Sequence, residues 1–361
     1  MQPNLFAPTT VGTLTLANRM VMAPMTRNRS DQAGVATSLM ATYYAQRADA
    51  GLIISESVPV SAQGVGYPCT PGLFTDEQVQ GWCRVTDAVH ERGGLIFAQL
   101  QHCGRVSHPS MQAHNAAPVA PSALKPDGQA FTYAGAQDFV TPRALAVEEM
   151  SSIIKQFQDA ALRAKQAGFD GIEVHAANGY LIDQFLRDGS NQRTDGYGGS
   201  AENRLRLLME ILHAVCAVWP ADRVGVRFSP ENTFNSMTDS DPLAHFGYFI
   251  EQLGMLNLAF VHVLEGDMMT KTTRLDYRQL RGRLNGLYIA NNGYDLERAK
   301  KAVSGGTADL VAFGLPFLAN PDLVARYRNN LPLNEADQAS FYGGGAGGYT
   351  DYPLHETASA V

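Results

Sequence analysis

The sequence predicts an α/β protein, a single (β/α)8 barrel with an N-terminal hairpin and a long excursion after the third strand. Three observations carry that reading. Short runs rich in β-branched and other apolar residues alternate eight times with longer helical patterns. The length, 361 residues with 45% hydrophobic, suits one barrel with insertions, and no low-complexity linker or internal repeat divides it. Polar side chains collect at the C-terminal ends of the strand-like runs, where parallel barrels build their chemistry.

Taken in order, residues 5–18 carry a Pro, a Gly and the alternation Val11-Gly12-Thr13-Leu14-Thr15-Leu16. That predicts a hairpin, with 1–18 capping the barrel floor. Strand-like runs follow at 19–23, 52–55, 95–100, 171–175, 224–228, 259–263, 287–290 and 310–313. Helical patterns lie between them at 39–50, 76–92, 148–167, 201–218, 242–253, 277–284, 296–303 and 321–329. The sixth unit is the most weakly patterned. Residues 102–143, rich in Pro, Ala and Gly, fall between the third strand and its helix and are expected to cross the active face. Gly343 to Gly348 follow no strand and open no βαβ unit, so they are no dinucleotide fingerprint; 343–361 is expected to be a flexible C-terminal tail.

The net charge of −7 argues against nucleic acid and anionic membranes as partners. No apolar run approaches the length of a membrane span, and the first residues lack a basic segment leading into an apolar one. Cys69, Cys83, Cys103 and Cys216 have no metal-ligand spacing. Reduced thiols, a cytoplasmic location and no metal are therefore expected.

The stretch Gly171 to Tyr180 is the centre of the functional reading. His175, Asn178 and Tyr180 lie within six residues at the end of the fourth strand. One helical turn would bring His175 and Asn178 to one side, and two neutral donors converging on a point suit an oxygen that becomes negative. Tyr180 adds a weak acid. The plainer reading is a core histidine followed by a turn-forming Asn-Gly. Strand parity adds an inward set of Thr26, Ser57, Gln99, Gln101, His175 and Arg227, which calls for a ligand with several hydrogen-bonding groups. A buried Arg227 needs an anionic or electron-rich partner, and Glu173 lower in the barrel is one candidate. Asn292-Gly293 after strand seven and Gly314-Leu315 after strand eight, ahead of Asn320-Pro321-Asp322, are placed to hold a phosphate on backbone N–H groups. A metal-free lyase or aldolase acting on a phosphorylated substrate, or a non-catalytic ligand-binding barrel, fits the same pattern.

Five motifs resemble the old yellow enzyme family of FMN-dependent ene-reductases. They are Ala23-Pro24-Met25-Thr26-Arg27, then His175 through Leu181, then Asn191 through Arg204, then Asn320-Pro321-Asp322-Leu323, and Gly348-Tyr349-Thr350-Asp351-Tyr352-Pro353. The resemblance implies a (β/α)8 barrel that binds FMN noncovalently and takes hydride from NADPH or NADH. It implies reduction of α,β-unsaturated carbonyl, imide or nitro compounds, in a monomer or homodimer. It assigns cofactor contacts to Pro24, Met25, Thr26, Ser57, Gln99, His175, Arg227, Asn292, Gly293, Gly314 and Leu315. His175 and Asn178 would bind the substrate's oxygen, with Tyr67, Gln101 and Tyr342 lining the substrate site. Flavin N5 would deliver hydride, and Tyr180 the proton. Two positions depart from the family. Gln101 stands where Trp is usual, and Leu315 where an Arg usually meets the phosphate. The order Asn292-Gly293 also reverses the usual pair.

Overall fold

The structure, a computed structural model, describes residues 3–356. Two antiparallel strands, β1 (Thr9–Val11) and β2 (Leu14–Leu16), form the expected hairpin. The barrel starts with β3 (Met20–Met22), β4 (Leu52–Pro59) and β5 (Ile96–Gln101). The excursion carries β6 (Val119–Ala120), β7 (Gln129–Thr132), β8 (Gly135–Asp138) and β9 (Arg143–Ala144). Five further strands complete the barrel: β10 (Gly171–His175), β11 (Val224–Phe228), β12 (Phe260–Leu264), β13 (Tyr288–Asn291) and β14 (Leu310–Phe313). All eight pair in parallel, and β14 pairs with β3 to close the ring.

Inward residues near the strand starts fill the floor. Val21, Leu52, Phe97, Phe260, Ile289 and Leu310 pack with Val11 and Leu16 of the hairpin, so the hairpin does plug this end. Burying Val11 and Leu16 completely contributes about 1.5–3 kcal/mol each. The Phe97 and Phe260 rings stack across the floor at 5.8 Å. They dictate Gly171 and Gly225 on the neighbouring strands, where a Cβ would fall 2.3 Å and 2.2 Å from those rings.

The second strand runs four residues past the expected end, and its register against β5 shifts between Ile54 and Ser57. The Ser55 hydroxyl accepts from the Gln99 backbone N–H (3.2 Å) and covers the gap in the ladder. The bulge sends Ser57 inward and Glu56 outward to Tyr44, whose hydroxyl is bonded to both the Glu56 N–H and its carboxylate.

The outer layer comprises α1 (Ser38–Ala45), α2 (Asp76–His90), α3 (Met150–Gln166), α4 (Leu181–Leu186), α5 (Ala201–Cys216), α6 (Pro242–Leu253), α7 (Tyr277–Arg283), α8 (Leu296–Ser304), α9 (Leu315–Ala319) and α10 (Leu323–Arg328). Side-chain caps start most of them, including the Thr75–Gln78 capping box on α2 and Ser200 on α5. Four helices differ from expectation. The first ends at Ala45 and turns, which lets the Arg47 guanidinium lie flat on the Tyr43 ring at 3.8 Å. The last expected helix begins at Leu323, after the unforeseen α9. The short α4 follows the site stretch directly. No helix among the described residues is long and apolar enough to cross a membrane.

The glycine-rich stretch is not free, at least over its described part. Arg27 donates to the carbonyls of Phe341 (2.8 Å) and Gly348 (2.9 Å), and Gly343 N–H donates back to the Arg27 carbonyl (2.9 Å). Tyr349 is fully buried, stacked on Tyr43 at 4.0 Å with Arg29 on its other side. Glycines report backbone freedom; the docking comes from the tyrosine after them and from arginines in the first loop.

Candidate active site

Four of the inward side chains, Ser57, Gln99, Glu173 and His262, form one chain of hydrogen bonds. Register places Glu173 level with Gln99 on one side, and His175 level with Arg227 on the other. Ser57 Oγ donates to Gln99 Oε1 (2.6 Å), and Gln99 Nε2 donates to Glu173 Oε1 (2.7 Å). Glu173 Oε2 lies 2.8 Å from His262 Nδ1. Glu173 and His262 are fully buried.

No hydrogen bond or ion pair joins Arg227 to the candidate partner Glu173, whose oxygens instead meet Gln99 and His262, although the Glu173 charge still favours the charged guanidinium. Its Nη2 donates to Asn291 Oδ1 (2.9 Å), and its buried Nε has no partner among the described residues. Burial, with the charge of Arg227 second, holds His175 well below the usual imidazole range. His175 is thus neutral, and its Nδ1 is buried without a partner among the described residues. A buried polar atom left unbonded costs about 1–3 kcal/mol. Several of them at one end of a barrel describe a well that a polar ligand completes.

His175 and Asn178 are not on a helical turn. Asn178 and Gly179 both adopt left-handed backbone, with φ of 58° and 77°, and the helix starts only at Leu181. Asparagine and glycine suit that conformation. A side chain at Gly179 would also meet Asn235 at 2.7 Å. The turn is pinned from the loop after β11. Asn178 N–H donates to Ser229 Oγ (2.8 Å), Asn235 donates to the Asn178 carbonyl (2.8 Å), and Asn232 donates to Asn178 Oδ1 (3.0 Å). The buried Arg187–Asp183 pair holds the same turn from below, Asp183 accepting from Gly179 N–H (2.8 Å).

Tyr180 packs edge-on to His175 with ring centres 5.2 Å apart, and its hydroxyl lies 3.1 Å from that of Tyr67. Burial raises both phenols above their ordinary range, so both keep their protons at neutral pH. These two rings pack against Val106, Ala130 and Phe139, so the excursion does roof this face. Gln101 is 2% exposed; its Nε2 donates to Cys103 Sγ (2.9 Å), and its Oε1 has no partner among the described residues. Burial pushes the Cys103 thiol up to about 12, so it stays neutral. Tyr342 is 70% exposed and packs edge-on to Phe341 at the rim.

The remaining positions lie along the rim of the barrel. Pro24, Met25 and Thr26 are partly exposed, and the Thr26 hydroxyl is uncommitted among the described residues. Met25 Sδ approaches Gly314, where a Cβ would sit 3.6 Å away, so the loops after β3 and β14 meet. Asn292 and Gly293 are consecutive left-handed residues, φ 89° and 67°. Leu315 is 55% exposed at the start of α9, which has no side-chain cap.

Sequence reasoning missed His262, Asn291 and Asn232. His262 shares inward parity with Phe260 on β12 and is level with Arg227, so the parity argument used for Arg227 would have found it. Asn291 sat in plain view at the end of strand seven. Asn232 lies in a loop and had no periodic signal.

The fold is a closed parallel barrel with several buried, unpartnered polar atoms at the C-terminal ends of its strands. Residues 4–334 match the NADH:flavin oxidoreductase / NADH oxidase family. A probable flavin mononucleotide-dependent alkene reductase of Leishmania infantum is 44% identical over 355 residues, covering 97% of both chains. The 12-oxophytodienoate reductase 1 of Oryza sativa subsp. japonica is 42% identical, over 98% of this chain and 93% of the other. Among solved structures, morphinone reductase superposes with a TM-score of 0.95 at 45% identity, covering 99% of this chain and 97% of that one. It has also been solved in complex with tetrahydroNAD. The old yellow enzyme homologue from Zymomonas mobilis gives a TM-score of 0.95 at 42% identity, covering 98% and 100%.

The chain belongs to the NADH:flavin oxidoreductase / NADH oxidase family, in its old yellow enzyme branch. It is an FMN-dependent ene-reductase that uses NAD(P)H.

Proposed function

We propose that this enzyme reduces the activated C=C bond of α,β-unsaturated carbonyl, imide and nitro compounds, with His175 and Asn178 holding the activating oxygen and Tyr180 giving the proton. FMN, when bound across the strand ends, supplies the hydride for the β carbon of the substrate. Arg227, whose buried Nε has no partner among the described residues, would meet negative charge on the cofactor, with Ser57, Gln99 and Thr26 holding it through hydrogen bonds. Pro24 and Met25 would pack against the cofactor, and backbone N–H groups at Asn292, Gly293, Gly314 and Leu315 would hold its phosphate.

The observation that carries the reading is the geometry: His175 and Tyr180 meet edge-on at 5.2 Å beside the left-handed turn of Asn178, under the apolar roof of the excursion. A neutral imidazole and a fixed carboxamide donate without adding charge, in a well roofed by the excursion. Such donors favour the developing oxyanion over the ground-state carbonyl. Tyr180 retains its proton because burial disfavours the phenolate, and Tyr67 is placed to bond the phenolate once the proton has left. Tyr67, Gln101 and Tyr342 shape the space above. The test is anaerobic. NADH or NADPH should bleach the yellow protein, and 2-cyclohexenone should restore the colour. A bleached protein that 2-cyclohexenone does not reoxidise contradicts the proposal.

A further inference from the structure

We propose that Asn232 is a positioning residue that sets which end of the Asn178 amide faces the substrate. The inference rests on the reading above, in which Asn178 donates to the substrate oxygen. An asparagine side chain offers a donor at one end and an acceptor at the other, and only its neighbours decide which way it points. Here the choice is fixed by a relay that begins at the backbone. The Met268 N–H, in the loop after β12, can only donate, and it donates to Asn232 Oδ1 at 3.3 Å. That orients Asn232 with its NH2 group towards Asn178, where Nδ2 donates to Asn178 Oδ1 at 3.0 Å. The oxygen of Asn178 is thereby consumed. Its NH2 group has no partner among the described residues and is left for the substrate. Asn232 is fully buried, so water does not substitute for either bond. The Asn178 backbone is held independently by Ser229 and Asn235, so Asn232 acts on the side chain alone.

Two substitutions separate this role from packing. Asn232→Asp keeps the size and still accepts from Met268, but it presents an acceptor to Asn178. The Asn178 amide then turns, aiming its oxygen at the substrate oxygen. Asn232→Ala frees the amide to rotate without reversing it. Enzyme reduced with dithionite is reoxidised by 2-cyclohexenone in a stopped-flow instrument at pH 8, and separately by O2, which needs no oxygen-binding pair. Asn178→Ala should slow reoxidation by the enone about 100-fold, the loss expected for one such donor. Asn232→Asp should match it within about threefold, Asn232→Ala should lose roughly fivefold, and Asn178→Ala/Asn232→Asp should be no slower than Asn178→Ala, because residues acting as one unit are non-additive. Reoxidation by O2 and FMN affinity should stay within about twofold of wild type. The proposal is overturned if Asn232→Asp is no slower than Asn232→Ala, or if the losses multiply in the double variant. If Asn232→Asp does not retain FMN, Asn232→Ala carries the test: its loss must vanish in the Asn178→Ala background, and persistence overturns the proposal. No effect of Asn178→Ala itself refutes the donor-pair reading, and this inference with it.

Discussion

Replacing Tyr180 with Phe removes one hydroxyl and leaves the ring. The ring contacts are kept: the edge of His175 and the apolar roof of Val106, Ala130 and Phe139 do not involve the oxygen. The only hydrogen bond lost in the described structure is the one to Tyr67, at 3.1 Å. Losing one such hydrogen bond should cost about 0.5–1.5 kcal/mol of stability. The catalytic cost is larger. A positioned general acid contributes roughly 10²–10⁴-fold, equivalent to about 3–5 kcal/mol of barrier. Reoxidation of reduced Tyr180→Phe by 2-cyclohexenone should therefore slow at least about 100-fold, with the melting temperature nearly unchanged. A nitroalkene should suffer less, because its nitronate is a more stable anion than an enolate and waits longer for a proton. The pH dependence follows from burial. The acid must be protonated to act, and burial raises the Tyr180 phenol, so activity should hold through mildly alkaline pH and fall only beyond it. A Tyr180→Phe enzyme that reduces cyclohexenone within threefold of wild type would show that another group is the acid.

Three further outcomes are expected. Leu315→Arg should tighten FMN binding and leave riboflavin binding unchanged in fluorescence titrations, since a guanidinium meets the phosphate and not the ring; equal changes for both ligands would place Leu315 elsewhere. Gln101→Trp should shift the enantiomeric ratio for bulky substituted enones on chiral chromatography, because a difference of about 1.4 kcal/mol between two poses is tenfold in product; identical ratios across several substrates would show that Gln101 does not select the pose. Glu56 is fully buried, and burial raises its carboxyl to about 7, so ionising it in the folded state costs stability as pH rises from the unfolded value towards 7. Glu56→Gln should gain on wild type in melts between pH 5 and pH 8, by a few kcal/mol at most; a pH-independent difference would mean that Glu56 is ionised throughout.

Strand parity made much of the site legible. Gln99, Gln101, His175 and Arg227 lie on regular strands, and a period of two assigns their faces without knowledge of the neighbours. The bulge between Ile54 and Ser57 was not legible in this way, because it resets the alternation and no residue type announces it. His262 was overlooked because strand six is weakly patterned around it. Asn232 was illegible for another reason: what it does depends on a hydrogen bond between distant loops, and the sequence contains the partners but not their meeting. At Asn178 a left-handed Asn-Gly replaces the helical turn that the spacing suggested. The five-residue α9 is too short for a helical period to show.

The central claim is that His175 and Asn178 activate the substrate through its oxygen. The most direct measurement is reoxidation of the dithionite-reduced His175→Ala/Asn178→Ala enzyme, loaded with FMN, by 2-cyclohexenone and by O2. Two donors are removed, each worth roughly 10²–10³ in rate. The enone reaction should fall by at least about 1,000-fold while the O2 reaction stays near wild type. An enone rate close to wild type, or equal losses with both oxidants, would contradict the account.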